Sequence, residues 1–190
     1  MDDLEHLEIT TAGALWGWFA ARHGQSDSIW CVSFKKHAAD RHVSYDEIVD
    51  TAVAWGWIDS HIRKVDDARS KLLLSPRKPQ SAWSAVNKAR VARLEASGRM
   101  AAPGRAKIEA ARQDGSWSFL DDVEALIQPP DLVDRLAHYA SAATWEAFPR
   151  SVKRGQLEWI KTAKRAETRA QRIDAVARLA AEGRRANFER

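Results

Sequence analysis

Residues 44–76, SYDEIVDTAVAWGWIDSHIRKVDDARSKLLLSP, decide the fold class. Ser44 with Glu47 three residues on forms a capping box, and Ile48, Val49, Ala52 and Val53 follow at helical spacing, so a helix runs from here to Gly56. Past that glycine the period changes. Trp57 to Val65 alternates apolar and polar residues, Asp66-Asp67 marks a turn, and Ala68 to Ser75 returns as a hairpin partner before Pro76 and Pro79 end regular pairing. The adjacent Trp57 and Ile58 leave the phase of the first strand open. A positive φ at Gly56, where helix turns into strand, accounts for that glycine without any ligand.

Working outward, Ser28 to Lys36 (SIWCVSFKK) is rich in β-branched and aromatic residues and reads as a strand buried on both faces for most of its length. A helix over 11–23 precedes it, capped by Thr10 or Thr11. From Ser81 onward the periodicity is helical only, with segments closing at Gly98, Gly115 and Gly183 and broken at Pro129-Pro130 and Pro149. The expected fold is α+β. A small three-stranded antiparallel sheet packs with helices over residues 1–115, and an all-helical part spans 116–190.

Composition excludes several function classes. The single Cys31 allows no internal disulfide and no cysteine-based zinc site. No apolar run approaches the roughly 18 residues of a membrane-spanning helix, and the first residues are acidic, so the expectation is a cytoplasmic protein with no membrane insertion. Net charge is uneven: −6 over residues 1–59, +8 over 60–115 and +2 over 116–190. The basic middle can attract phosphates, carboxylates or nucleic acid, or can neutralise the acidic first third within one fold.

Three stretches carry a family likeness: Trp55-Gly56-Trp57-Ile58-Asp59-Ser60; then Ser75-Pro76-Arg77-Lys78-Pro79 with Ser81, Trp83-Ser84, Asn87 and Arg90; and Glu158-Trp159-Ile160 leading to Arg172-Ile173. The pattern resembles the YdeI/OmpD-associated (OmdA) family, also labelled bacteriocin-protection proteins, along nearly the whole chain. The resemblance implies an α/β N-terminal unit and a helical module from about residue 150. It also implies a link to outer-membrane porin and to resistance against cationic antimicrobial peptides. It carries no catalytic set.

Candidate site residues follow from the same stretches. In a regular strand Asp59, His61 and Arg63 share one face, a row of acid, imidazole and guanidinium. Ser81 is placed to cap the next helix, so Arg77 and Lys78 approach a helix end that favours anions. Trp83, Ser84, Asn87 and Arg90 lie on or near one face of that helix, where a planar group could stack and be hydrogen-bonded. Trp57 could wall the pocket. The plainer alternative makes the tryptophans core and the polar groups ties between helix and sheet.

The histidines show no two-His helical metal spacing, and there is no Gly-x-Ser-x-Gly elbow, P-loop or dinucleotide fingerprint, so neither cofactor nor metal is expected. The leading reading is a binding protein for a small anionic or planar ligand, associated through the family likeness with stress or peptide resistance. Nucleic-acid binding through residues 60–115 is the alternative, and an enzyme using Asp59 or His61 as acid or base is the third.

Overall fold

The computed structural model describes residues 3–38 and 40–187. Its helix α2 (Tyr45–Ala54) starts at the capping box: the Ser44 hydroxyl accepts the Glu47 N–H at 3.2 Å and the Glu47 carboxylate accepts the Ser44 N–H at 2.9 Å. The helix stops at Gly56, whose φ of +79° lies in the left-handed region. Strands β3 (Trp57–Lys64) and β4 (Arg69–Pro76) then form the antiparallel hairpin. The Asp66 carboxylate closes its turn by accepting the Ala68 and Arg69 N–H groups at 2.9 and 2.7 Å.

β4 pairs antiparallel with β2 (Ile29–Phe34), but the sheet is mixed and four-stranded, in the order β1-β2-β4-β3. The unexpected strand is β1 (His6–Ile9), which runs parallel to β2 and reaches it through α1 (Ala12–Arg22). A helical crossover is the connection that parallel neighbours require. With four residues and only Leu7 and Ile9 apolar, β1 is too short for alternation to reveal it.

Ile29 and Cys31 of β2 and Leu72 and Leu74 of β4 pack against Leu15 and Phe19 of α1 and Ile48 and Ala52 of α2. Val91 and Leu94 of α3 (Ala85–Ala96) and Ile108 and Ala111 of α4 (Ala102–Asp114) complete that core. All six residues of β2 are buried, as expected of a strand covered on both faces. Burial pushes the Cys31 thiol up to about 12. On the opposite face, Lys71 and Arg63 hold their cations 4.5 and 5.3 Å from the centroid of the Trp30 ring.

Two glycines set the approach of α4. The Ala101 N–H donates to the Ala54 carbonyl at 3.1 Å, and a Cβ on Gly104 would fall 2.1 Å from that same oxygen. A Cβ on Gly56 would fall 2.7 Å from Lys107 Cγ. Close helix contact therefore brings Lys107 onto the turn between α2 and β3. The Arg77 N–H donates to the carbonyl of Gly56 in the same turn, at 3.1 Å.

The chain divides into two compact units, one ending at Ser118 and the other starting at Phe119. The second contains α5 (Asp121–Glu124), α6 (Pro130–His138), α7 (Ala142–Glu146), α8 (Arg150–Lys161) and α9 (Ala166–Ala181). Its interior holds Leu132, Leu136, Trp145, Leu157, Ile160, Ile173 and Val176. The buried Trp145 indole donates to Gln156 Oε1 at 2.8 Å, which satisfies the one polar atom that a buried tryptophan carries. Among the described residues no helix is long and apolar enough to cross a membrane.

Candidate functional site

The segment from Arg77 to Ser84 leaves β4 and folds back on the end of α4. Pro76, opposite Trp57, is still the last residue of β4 and not a break before it, Gln80 takes a left-handed φ of +60°, and the Trp83 N–H donates to the Ser116 carbonyl at 3.3 Å. These constraints bury Arg77, which is 3% exposed. Its Nη1 donates to the carbonyls of Ser81 and Ala82 at 3.2 and 3.1 Å, and its guanidinium lies 3.7 Å from the centroid of the Trp83 ring.

Among the described residues the other edge of that guanidinium has no partner. Nε and Nη2 of Arg77 are buried and make no hydrogen bond. They form the edge that offers two parallel N–H groups to a carboxylate or phosphate. Three other arginines here use the same edge on a carboxylate. Arg69 grips Asp66 at 2.9 and 2.7 Å, Arg154 grips Glu124 at 2.9 and 2.8 Å, and Arg169 grips Asp131 at 2.8 and 2.9 Å. Of these four, Arg77 is the buried one, and its edge grips no carboxylate among the described residues.

Burial lowers the Arg77 pKa to about 10, and the Asp59 charge opposes that shift only in part. Arg77 lines a cavity of about 60 Å³, together with Lys78, Trp83, Lys107, Asp114 and Ser116. Three cations face one carboxylate there. Asp114 is exposed and accepts the Ser116 N–H at 2.9 Å. The Trp83 indole N–H is a further buried donor with no partner. At about 30 Å³ per water the space holds about two waters, which suits a small oxyanion or a ligand's carboxylate head.

The structure brings some of the expected residues together and separates others. Arg77 and Trp83 are in contact, and Asp59 lies within the electrostatic reach of Arg77. Asp59, however, accepts the Tyr45 hydroxyl at 2.6 Å. Burial together with that hydrogen bond pushes the Tyr45 phenol up to about 12. The row of Asp59, His61 and Arg63 does not form. The pairing of β3 with β4 shifts between Asp59 and Ile62, so Asp59 lies opposite Leu74 and Arg63 opposite Lys71. These partners are three residues apart on one strand, which puts Asp59 and Arg63 on opposite faces of the sheet. His61 is exposed in the shifted segment.

Ser84, not Ser81, caps α3, accepting the Asn87 N–H at 3.3 Å. The Ser81 and Ala82 carbonyls are held by Arg77 instead, so the helix starts three residues later than the serine spacing suggests. Buried Arg90 donates to Asp50 and Asp46 at 2.6 and 2.5 Å and fastens α3 to α2. Trp83 is 1% exposed, with Arg77 against its ring and Trp117 5.1 Å away, so no planar ligand can stack on it. Trp57 is equally buried, donates to the His23 carbonyl at 3.0 Å, and packs edge-on against Trp18 and Phe19 as core. Lys107, Asp114 and Ser116 line the cavity unanticipated. They come from α4 and the turn after it, and no short-range spacing ties them to Arg77.

The first unit is thus an α+β domain built around a buried arginine at a small cavity, and the second is a helical domain. The family model described as Domain of unknown function (DUF8412) matches residues 7–107, more than half of the 190, and the chain belongs to that family. A second model, described as Bacteriocin-protection, YdeI or OmpD-Associated (OmdA), matches residues 125–183. The likeness read from the sequence therefore holds for the helical unit, and the α+β unit matches a different family model. No curated protein and no solved structure matches the chain.

Proposed function

We propose that the α+β unit binds a small oxyanion or the carboxylate of a small ligand in the Arg77 cavity. The carrying observation is the unused Nε/Nη2 edge of a buried arginine that lines an open space. A buried guanidinium without a counter-charge is costly, and an anion gripped on two parallel N–H groups offsets that cost. Lys78 and Lys107 add positive charge at the same rim. Nothing beside Arg77 resembles a nucleophile paired with a base, so the reading is binding and not catalysis.

Nucleic-acid binding has less support. None of the nine tryptophans is exposed, which leaves few aromatic faces, Tyr45 and Phe119 among them, on which single strands could stack.

Calorimetric titration with orthophosphate, and separately with acetate, tests the proposal at constant ionic strength. Saturable heat in the native protein that disappears in Arg77→Met is the expected result. Equal heats in both proteins would overturn it, as would the absence of any binding.

A further inference from the structure

The register shift in β3 has a second effect, at the other end of the sheet. It turns Ile62 to the side of Leu72, the face that the helices cover, yet Ile62 remains 64% exposed. Ile62 borders a cavity of about 240 Å³ that opens beside the first turn of α2. Buried Val43, Ile48 and Leu72 form its apolar wall. Lys35, Lys36 and His42 stand at its rim, and among the described residues no carboxylate lines it.

Neither rim lysine has a carboxylate partner among the described residues. Lys35 Nζ is fixed by two backbone carbonyls, those of Asp66 and Asp67 at 2.8 and 3.2 Å, which orient the ammonium without cancelling its charge. Lys36 is exposed. His42 donates from Nδ1 to the Phe34 carbonyl at 2.7 Å, so its Nε2 edge is the one left for another group. Glu47, whose charge interacts with His42, is committed to the Ser44 N–H and hydroxyl at 2.9 and 2.6 Å. The Tyr45 hydroxyl at the cavity is taken by Asp59.

From this juxtaposition we propose a second binding site, independent of the Arg77 cavity, for an amphipathic monoanion: a compact hydrocarbon or aromatic body carrying one carboxylate. The body lies on Ile48, Ile62 and Leu72, and the carboxylate meets Lys36, Lys35 and His42. The volume corresponds to about eight water volumes, which sets the body at about ten non-hydrogen atoms. Charge complementarity chooses the sign: an apolar wall alone would take an alcohol as readily, and a rim of cations rejects an amine.

Octanoate is the probe, with octanol and octylammonium as the uncharged and oppositely charged counterparts. The readouts are calorimetry and the ¹³C shift of the Ile62 δ1 methyl. Octanoate is expected to bind saturably and move that methyl, with affinity at least tenfold above either counterpart. Ile62→Asp and Lys36→Glu alter exposed side chains, so both variants keep the native circular dichroism while losing at least tenfold in octanoate affinity. Arg77→Met leaves it unchanged, which separates this site from the other one. The proposal is overturned if octanoate does not bind, if octanol or octylammonium binds as tightly, or if Ile62→Asp binds octanoate like the native chain.

Discussion

Replacing Arg77 by Met removes the buried charge and keeps a flexible stem of similar reach. Burial lowers the guanidinium pKa from its ordinary value to about 10. The charged form is thus disfavoured in the fold. The penalty is fully present at every pH below about 10 and shrinks only as pH rises from there toward the ordinary guanidinium value. Arginine stays protonated under all working conditions, so pH does not relieve it. At about 1.4 kcal/mol per unit the penalty is on the order of 3 kcal/mol. Opposing it are two charged hydrogen bonds to the Ser81 and Ala82 carbonyls, each worth about 1.5–3 kcal/mol, and the stack on Trp83, about 2 kcal/mol.

Together the contacts, about 5–8 kcal/mol, outweigh that penalty, so Arg77→Met in anion-free buffer should lose about 2–5 kcal/mol, a loss that a purely structural Arg77 would also give. The anion dependence does decide. A ligand at 100 times its Kd stabilises by about 2.7 kcal/mol, close to the size of the penalty it offsets. At about 2–4 °C per kcal/mol that raises the Tm by roughly 5–10 °C. Differential scanning calorimetry across a phosphate series at fixed ionic strength measures it. The native chain should show a saturating rise and Arg77→Met a flat response. A parallel rise in both proteins would mean a general effect of an excluded salt and would refute the reasoning.

Gly104→Ala places a methyl 2.1 Å from the Ala54 carbonyl oxygen, so α4 must shift, and urea unfolding should show a loss of about 3 kcal/mol or more; a loss under 1 kcal/mol would contradict the packing. Arg90→Met leaves the partly buried Asp50 carboxylate with the longer contact to Arg93 at 3.5 Å, for an expected cost of about 2–4 kcal/mol, while phosphate affinity stays within twofold; a larger drop in affinity would return Arg90 to the binding site. Cys31, buried and with its thiol pushed up to about 12, should resist a disulfide reagent at pH 8 in the native protein and react fully in denaturant. Rapid native labelling would show that the strand is not covered as described.

The local grammar of the fold was legible where one short segment carries the whole signal. The box at Ser44 and Glu47, the left-handed Gly56 and the burial of β2 need only neighbouring residues to specify them. β1 was not legible, because its four residues gain their meaning from pairing with β2. The phase of β3 failed for a related reason: a shifted register is fixed by the partner strand and moves Ile62, rather than His61, toward the covered face. Ser81 and Ser84 offer equivalent caps in sequence, and it is Arg77, three-dimensionally over the 81–82 carbonyls, that decides between them. In the candidate site, Arg77 and Trp83 were within reach of sequence reasoning. The unused edge of Arg77 and the contribution of Lys107 were not, since both depend on how α4 packs against the turn at Gly56.

The central claim is that the Nε/Nη2 edge of Arg77 stands ready for an anion. The most direct measurement is a ¹⁵N–¹H spectrum of the arginine Nε–H groups during a phosphate titration, with Arg77→Met used to assign the Arg77 signal. The account predicts that the Arg77 signal moves downfield and saturates, while those of Arg69, Arg154 and Arg169, already on their carboxylates, stay in place. An Arg77 signal that does not move, or that moves in step with exposed arginines, would contradict it.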